Sequence, residues 1–432
     1  MIKNKPVIGI IPTYNIKNEE NDPYVDQAKF VTMYAKKISE SGGIPIGLLE
    51  QNMEEYMNIC DGYLWPGGVQ ILRSFYPIIE DCIKKQKPLL GICLGMQAII
   101  TYFNILEDAR NIPKANLETV YKENKEKNPY LVKVEDESMH LNIVTKEKES
   151  IEKASHDVFL KKESIFYNIF NSNCLSIPSM HSFTIARIPK DLQIVGKASD
   201  GTIEAVEYTK NDSFLLGIQG HVELLEDSKV FDWLVRHCHM RYQVLVNKKY
   251  ALQKENDFQI VSYESLYPNC IHDGNLEIGV LSSWIEFRDY VREHGYFIDI
   301  ESAFRTTELQ QQIYEDYMQK YGLEYAEVYV AKPRHSEHET GLAIDIAMRT
   351  ESGKWVTNFD EEFLECHQFL KENCSKFGFI LRYPETKEEV TGYHYEPWHF
   401  RYIGNQVVCK YIMENNLCLE EYLEKEKMLI KK

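Results

Sequence analysis

The sequence predicts two domains, a doubly wound α/β unit followed by an α+β unit. Three observations carry that expectation. The chain has 432 residues, more than one typical core organises. From residue 6 onward, short apolar runs alternate with helix-like segments, the pattern of a parallel sheet covered by helices. Beyond about residue 257 that alternation stops, and amphipathic helices stand beside isolated strand-like runs.

In order, PVIGII reads as a first buried strand, and a helix follows from about Tyr24, closed by Gly42 and Gly43. IPIGLL, GYLWPGG and KPLLGIC read as further strands, the last running straight into a helix through LGMQAII. Functional residues of such a sheet belong at the carboxyl ends of its strands. From about Glu107 to Glu152 the chain is heavily charged and reads as an irregular or inserted surface segment. Order returns with SFTIARI, GTIEAVEY and FLLGIQGHVE as strands and VFDWLVRH as a helix. Domain boundaries are expected at 1–243 and 258–432, the second including a C-terminal tail, with 244–257 as linker on the strength of the polar, aperiodic run NKKYALQKEND at about 247–257. In the second domain WIEFRDYVREHG forms a helix stopped at Gly295. TTELQQQIYEDYMQKYG forms another, with Thr307 as N-cap, Gln310 as its capping-box partner and Gly322 as stop. GLAIDIA and YHYEPWHFRYIG supply strand-like runs.

Composition narrows the function. With 49 basic and 66 acidic side chains the net charge is −17, which disfavours nucleic acid and anionic membrane as partners. The apolar N-terminal run lacks the length and cleavage site of a signal or membrane segment. Ten cysteines occur with no CxxC pair, so reduced thiols and a cytoplasmic address are expected. Oligomeric state leaves no trace in the sequence.

Two groups of residues carry chemistry. In GICLGMQ, Cys93 lies between Gly91 and Gly95 at a strand-to-helix junction. Such a turn needs small neighbours, and the helix N-terminus favours the thiolate. The amide of Leu94, with a second donor from the Gly67-Gly68 pair, would face a developing oxyanion. In GIQGHVE, His221 and Glu223 are two apart and so on one face of a strand, and would serve as base and orienter for the thiol. The second group is SEHETGLAID with EPWH. Its two imidazoles and a carboxylate suit a zinc ion with one open position, and the remaining carboxylate could take a proton from water. Glu396 and His399 would face opposite sides of a regular strand, so a bend at Pro397 is required. His237-Cys238-His239 is read as the end of a surface helix.

Residues 1 to about 243 resemble class I glutamine amidotransferase domains, most closely γ-glutamyl hydrolases, through GGIPIGLL, WPGG, GICLGMQ, MHSF, DGTIEAVE and GIQGHVE. That resemblance implies Cys93 as nucleophile, His221 as base, Glu223 as orienter, His181 beside the substrate pocket, and γ-glutamyl amides as substrates. Departures include Gly220 and Val222 around the histidine, where the family commonly has tryptophan and proline. Residues 258 to 405 resemble zinc D-alanyl-D-alanine carboxypeptidases and dipeptidases of the vancomycin-resistance type, through SAFRTTELQQQ, SEHETGLAIDIA, KFGFILRYP and TGYHYEPWHFRYIG. This second resemblance implies Zn2+ held by His338, Asp345 and His399, Glu396 as general base, Arg305 on the oxyanion, and Ser336 at the pocket edge. The combined expectation is a bifunctional hydrolase of D-Ala-D-Ala-terminated peptides and γ-glutamyl amides. Its alternative is a zinc peptidase joined to a decayed, amidotransferase-like docking module.

Overall fold

The structure is a computed structural model that describes residues 5–14, 28–111, 128–135, 137–144, 147–208, 210, 214–253, 258–264, 274–357 and 363–426. The chain divides into two compact units, Pro6–Cys238 and His239–Lys432. Residues 244–253, expected as linker, belong to the second unit: Leu245 is buried in a core cluster with Ile380 and Ile403, and Asn247 donates to Glu420 at 2.9 Å.

The first unit is built on a nine-stranded sheet. Five strands run parallel, in the order Ile44–Gly47, Val7–Ile10, Gly62–Trp65, Leu89–Ile92 and Leu215–Ile218. Each is short and apolar, as strands covered on both faces must be. Four antiparallel strands extend the sheet: Ile203–Tyr208, Gln193–Ala198, Ser155–Leu160 and Cys174–Pro178. The fold is therefore doubly wound in its first part and mixed as a whole. Helix Thr32–Glu40 ends before Gly42 as expected, whereas Tyr24 lies outside the described residues.

The described residues of the charged stretch, which leave out 112–127, 136 and 145–146, are more ordered than its composition implies. Helix Leu94–Asn111 runs into it, strand Leu131–Lys133 pairs with Phe183–Ile185, and helices Glu137–His140 and Lys148–Lys153 follow. Buried Tyr130, Val134 and His140 anchor it. A few inward side chains among many charges do not produce a readable period.

The second unit has a five-stranded antiparallel sheet ordered Ile298–Ser302, Ala343–Arg349, His399–Tyr402 and Phe379–Leu381, with Trp355–Val356 also on Ala343–Arg349. Helix Ile278–Glu293 buries Trp284, Phe287 and Val291 in the core that includes Ile344, Phe379 and Phe400. Thr306, not Thr307, caps helix Thr307–Tyr321, its hydroxyl accepting from the Leu309 amide at 3.2 Å. Two threonines in sequence compete for that position, and the second donates instead to Glu339 at 2.7 Å. Gln310 bonds the Ala331 carbonyl at 2.7 Å rather than closing a capping box. Gly322 stops the helix at φ 92°, where a side chain would be strained. Among the described residues no helix is long and apolar enough to cross a membrane.

Candidate active sites

In the first unit, strand Leu89–Ile92 delivers Cys93 at φ 51°, a left-handed conformation that a non-glycine residue adopts only when its surroundings impose it. The surroundings do. A side chain on Gly91 would meet the Gly95 backbone at 2.7 Å, and one on Gly95 would lie 2.0 Å from the Trp65 carbonyl oxygen. Helix and strands approach that closely only with glycine at both places. Helix Leu94–Asn111 begins immediately after the thiol.

His221 and Glu223 do not lie on a strand. Their strand ends at Ile218, and Glu223 belongs to a short 3-10 turn, Val222–Leu224. The turn still joins them: His221 Nδ1 is 2.7 Å from Glu223 Oε1, which also accepts from the Tyr34 hydroxyl at 2.7 Å. A side chain on Gly67 would be 3.0 Å from His221 Cε1 and 3.4 Å from Cys93 Cβ, so imidazole and thiol flank the same glycine. Burial alone would disfavour the imidazolium, but the charges of Glu223 and Cys93 outweigh it and hold the pKa of His221 well above its ordinary value. The Gly67 amide donates to the Tyr34 hydroxyl at 3.3 Å, and Gly68 lies against Leu94. His181 is buried, with Nδ1 on the Phe183 carbonyl oxygen at 3.0 Å and Nε2 toward Glu204 at 3.4 Å.

In the second unit, His338, Asp345 and His399 offer donor atoms within 4.8 Å of one another. His338 comes from a 3-10 turn, Glu337–Thr340, Asp345 from the central strand, and His399 from the start of the adjacent one, directly opposite Asp345. His338 Nδ1 donates to the Ala303 carbonyl at 2.7 Å, which turns Nε2 toward Asp345 at 3.3 Å. His399 Nδ1 lies 2.9 Å from Asp345 Oδ1. The bend required at Pro397 exists: the His399 amide bonds the Glu396 carbonyl at 3.2 Å, and Glu396 Oε2 comes within 3.6 Å of His399 Nδ1. Burial raises the pKa of Glu396, with His399 opposing and Asp345 adding. Arg305 is held by Ser302 and Gln310 and reaches Asp345 at 3.5 Å. Ser336 is buried at the N-cap of the 3-10 turn, its amide donating to Glu339 at 3.3 Å. His394 is exposed against Glu388 and lies apart from this group.

The donor set, two imidazoles and one carboxylate with donor atoms within 4.8 Å of one another, is of the kind that a catalytic zinc ion takes. Behind it lies a group that the sequence did not single out. Glu337, 2% exposed, accepts from Arg382 and Arg401 at 2.7 Å each and stands 3.7 Å from His399 Nε2. His237 and Cys238 are buried at the end of helix Lys229–Arg236, not on a surface helix, with His237 Nδ1 on the Trp233 carbonyl at 2.9 Å. The apolar face of that helix, Phe231, Trp233 and Leu234, carries its end inward.

Residues 6–223 match the peptidase C26 family, and residues 274–405 match the D-alanyl-D-alanine carboxypeptidase family. The chain belongs to both families. A bifunctional D-Ala-D-Ala dipeptidase and D-Ala-D-Ala carboxypeptidase of Enterococcus gallinarum is 35% identical over 191 residues, which cover 41% of this chain and 91% of that protein. A D-alanyl-D-alanine carboxypeptidase of Enterococcus faecalis is 34% identical, covering 43% of this chain and 66% of its own length. Over the first half, a glutamine amidotransferase-like protein of Rickettsia prowazekii is 28% identical, covering 53% of this chain and 95% of its own length.

Proposed function

We propose that the chain is a bifunctional hydrolase of peptidoglycan-type peptides, pairing a zinc-dependent D-alanyl-D-alanine carboxypeptidase with a cysteine-dependent γ-glutamyl amide hydrolase. The observation that carries the first activity is the convergence of His338, Asp345 and His399 with Glu396 and Arg305 beside them. Zinc, when bound, would supply the positive charge that polarises the scissile carbonyl and acidifies water. Glu396 takes the proton of the attacking water and returns it to the leaving D-alanine. Arg305, its guanidinium already fixed by Ser302 and Gln310, steadies the negative charge on the tetrahedral oxygen. The nearest support for this substrate is the Enterococcus gallinarum relative, whose name specifies D-Ala-D-Ala.

In the other unit, Cys93 attacks the γ-carbonyl, His221 transfers the thiol proton to the leaving amine, and the thioester is then cleaved by water. Glu223, bonded to both His221 and Tyr34, holds the ring in place. The Leu94 and Gly68 amides are the candidate oxyanion donors, since that of Gly67 is engaged by Tyr34. The strained backbone of Cys93 and its intact partners favour this reading over a decayed docking module. Full-length protein loaded with zinc should release one D-alanine from L-Ala-γ-D-Glu-L-Lys-D-Ala-D-Ala, detected by mass. An intact peptide, with free D-Ala-D-Ala likewise uncut, would refute the first assignment.

A further inference from the structure

Apart from the candidate active sites, the first unit gathers His140, His156, His181 and Glu204, with one donor atom of each lying within 4.8 Å of the others. They come from four places in the chain: helix Glu137–His140, strand Ser155–Leu160, the turn before Phe183–Ile185, and strand Ile203–Tyr208. Glu204 Oε1 is the common point, 3.4 Å from His140 Nδ1, 3.6 Å from His156 Nε2 and 3.4 Å from His181 Nε2. Glu204 and His140 are 0% exposed and His181 is 3% exposed. All three inward ring nitrogens, and both oxygens of Glu204, are buried without a hydrogen-bond partner. Five such atoms in one spot would be costly if nothing joined them.

The outward nitrogens are all engaged. His140 Nε2 lies 2.9 Å from Asp200 Oδ2, His181 Nδ1 is 3.0 Å from the Phe183 carbonyl oxygen, and His156 Nδ1 is 3.4 Å from that of Asp157. A proton on each outer nitrogen leaves a lone pair on each inner one, which is how imidazoles are oriented toward metals. The charges agree. Three imidazolium rings, with centroids of neighbours 4.8 and 4.9 Å apart, would crowd like charges around one carboxylate. A divalent ion among neutral rings is instead balanced by Glu204 and Asp200.

We propose that these four side chains form a second, closed metal site that takes a zinc-class divalent ion in a structural role. Three nitrogens and a carboxylate complete a tetrahedral sphere and leave no position for substrate. Its neighbours indicate what it holds. The His181 amide donates to the His140 carbonyl, the His221 amide to Pro178, and the Gln219 amide to Glu204, each at 2.8 Å. The ion would thus pin the segments to which the His221 turn is hydrogen-bonded, and fasten the charged stretch at His140. His181 is then a metal ligand rather than a pocket histidine.

The test uses full-length protein carrying His338→Ala and His399→Ala, so that metal found on it belongs to the first unit. Titration with Co2+ should give one equivalent with the intense visible bands of tetrahedral cobalt, displaced by Zn2+ and raising the melting temperature of Pro6–Cys238. Adding Glu204→Gln should weaken binding at least tenfold, and Asp200→Asn, at a partly exposed carboxylate, about 10–100-fold with an unchanged circular dichroism spectrum. In parallel, zinc content of otherwise wild-type protein should drop by one ion per chain with Glu204→Gln. No stoichiometric Co2+ or Zn2+ on folded double variant, or binding that survives Glu204→Gln undiminished, would overturn the proposal.

Discussion

Replacing Glu337 with glutamine probes how the second unit supports its candidate zinc ligands. The carboxylate joins Arg382 and Arg401, both 0% exposed, and faces His399. Removing its charge leaves two buried guanidinium groups short of one anion, and breaking a buried pair in this way costs roughly 3–5 kcal/mol. Two features favour the lower end. Arg382 keeps a bidentate pair with Glu420 at 2.8 and 2.7 Å, and Arg401 keeps the carbonyls of Tyr242 and Val244 at 2.9 and 2.8 Å. The expected loss is therefore about 3 kcal/mol, or roughly 100-fold faster amide exchange in the most protected strands. Hydrogen-exchange mass spectrometry of the full chain separates the two units by peptide, so the effect should be confined to peptides such as those spanning Phe379–Leu381 and His399–Tyr402. Zinc affinity should also fall about 10–100-fold, because His399 loses the group behind it. A stability change under about 1 kcal/mol with unaltered zinc affinity would mean that Glu337 supports neither the core nor His399.

Other outcomes follow from single contacts. Cys93 should be alkylated by iodoacetamide at pH 7 at least tenfold faster than Cys366, whose thiol burial pushes up to about 12, and His221→Gln should remove the difference. Gly95→Ala should cost about 3 kcal/mol or prevent folding of the first unit in urea titrations, because the new methyl meets the Trp65 carbonyl. Burial lifts the carboxyl of Glu207 from 4.5 to about 7. Between those values the folded state keeps a proton that the unfolded state has released, so stability declines as pH rises through the window. Glu207→Gln should accordingly gain about 2–3 kcal/mol on wild type at pH 8 and almost nothing at pH 4, by denaturant titration at each pH.

The parts of this protein that were legible in the sequence are those whose physics is local. Gly91, Cys93 and Gly95 announce a tight strand-to-helix turn because each constraint falls within five residues. The short apolar strands of the parallel sheet are equally plain. The antiparallel extension was only partly visible: Ser155–Leu160 and Cys174–Pro178 mix charged and polar residues with a few inward ones, since their side chains are only partly buried. Reading GIQGHVE as a continuous strand failed because the chain turns after Ile218. Long-range partners left no signal. Glu337 meets Arg382 and Arg401 from 45 and 64 residues away, and Tyr34 reaches Glu223 across 189. His140, His156, His181 and Glu204 have no motif spacing in common, and only folding brings them together.

On the proposed function, two independent hydrolytic centres reside in one chain. The most direct test is a single mass-spectrometric time course on zinc-loaded protein given the pentapeptide together with a γ-glutamyl amide, comparing wild type, Cys93→Ala and Glu396→Gln. Glu396→Gln should abolish D-alanine release and spare γ-glutamyl cleavage, Cys93→Ala should do the reverse, and a chelator should stop D-alanine release until zinc is restored. D-alanine release that persists in Glu396→Gln, or γ-glutamyl cleavage that persists in Cys93→Ala, would contradict the proposed function.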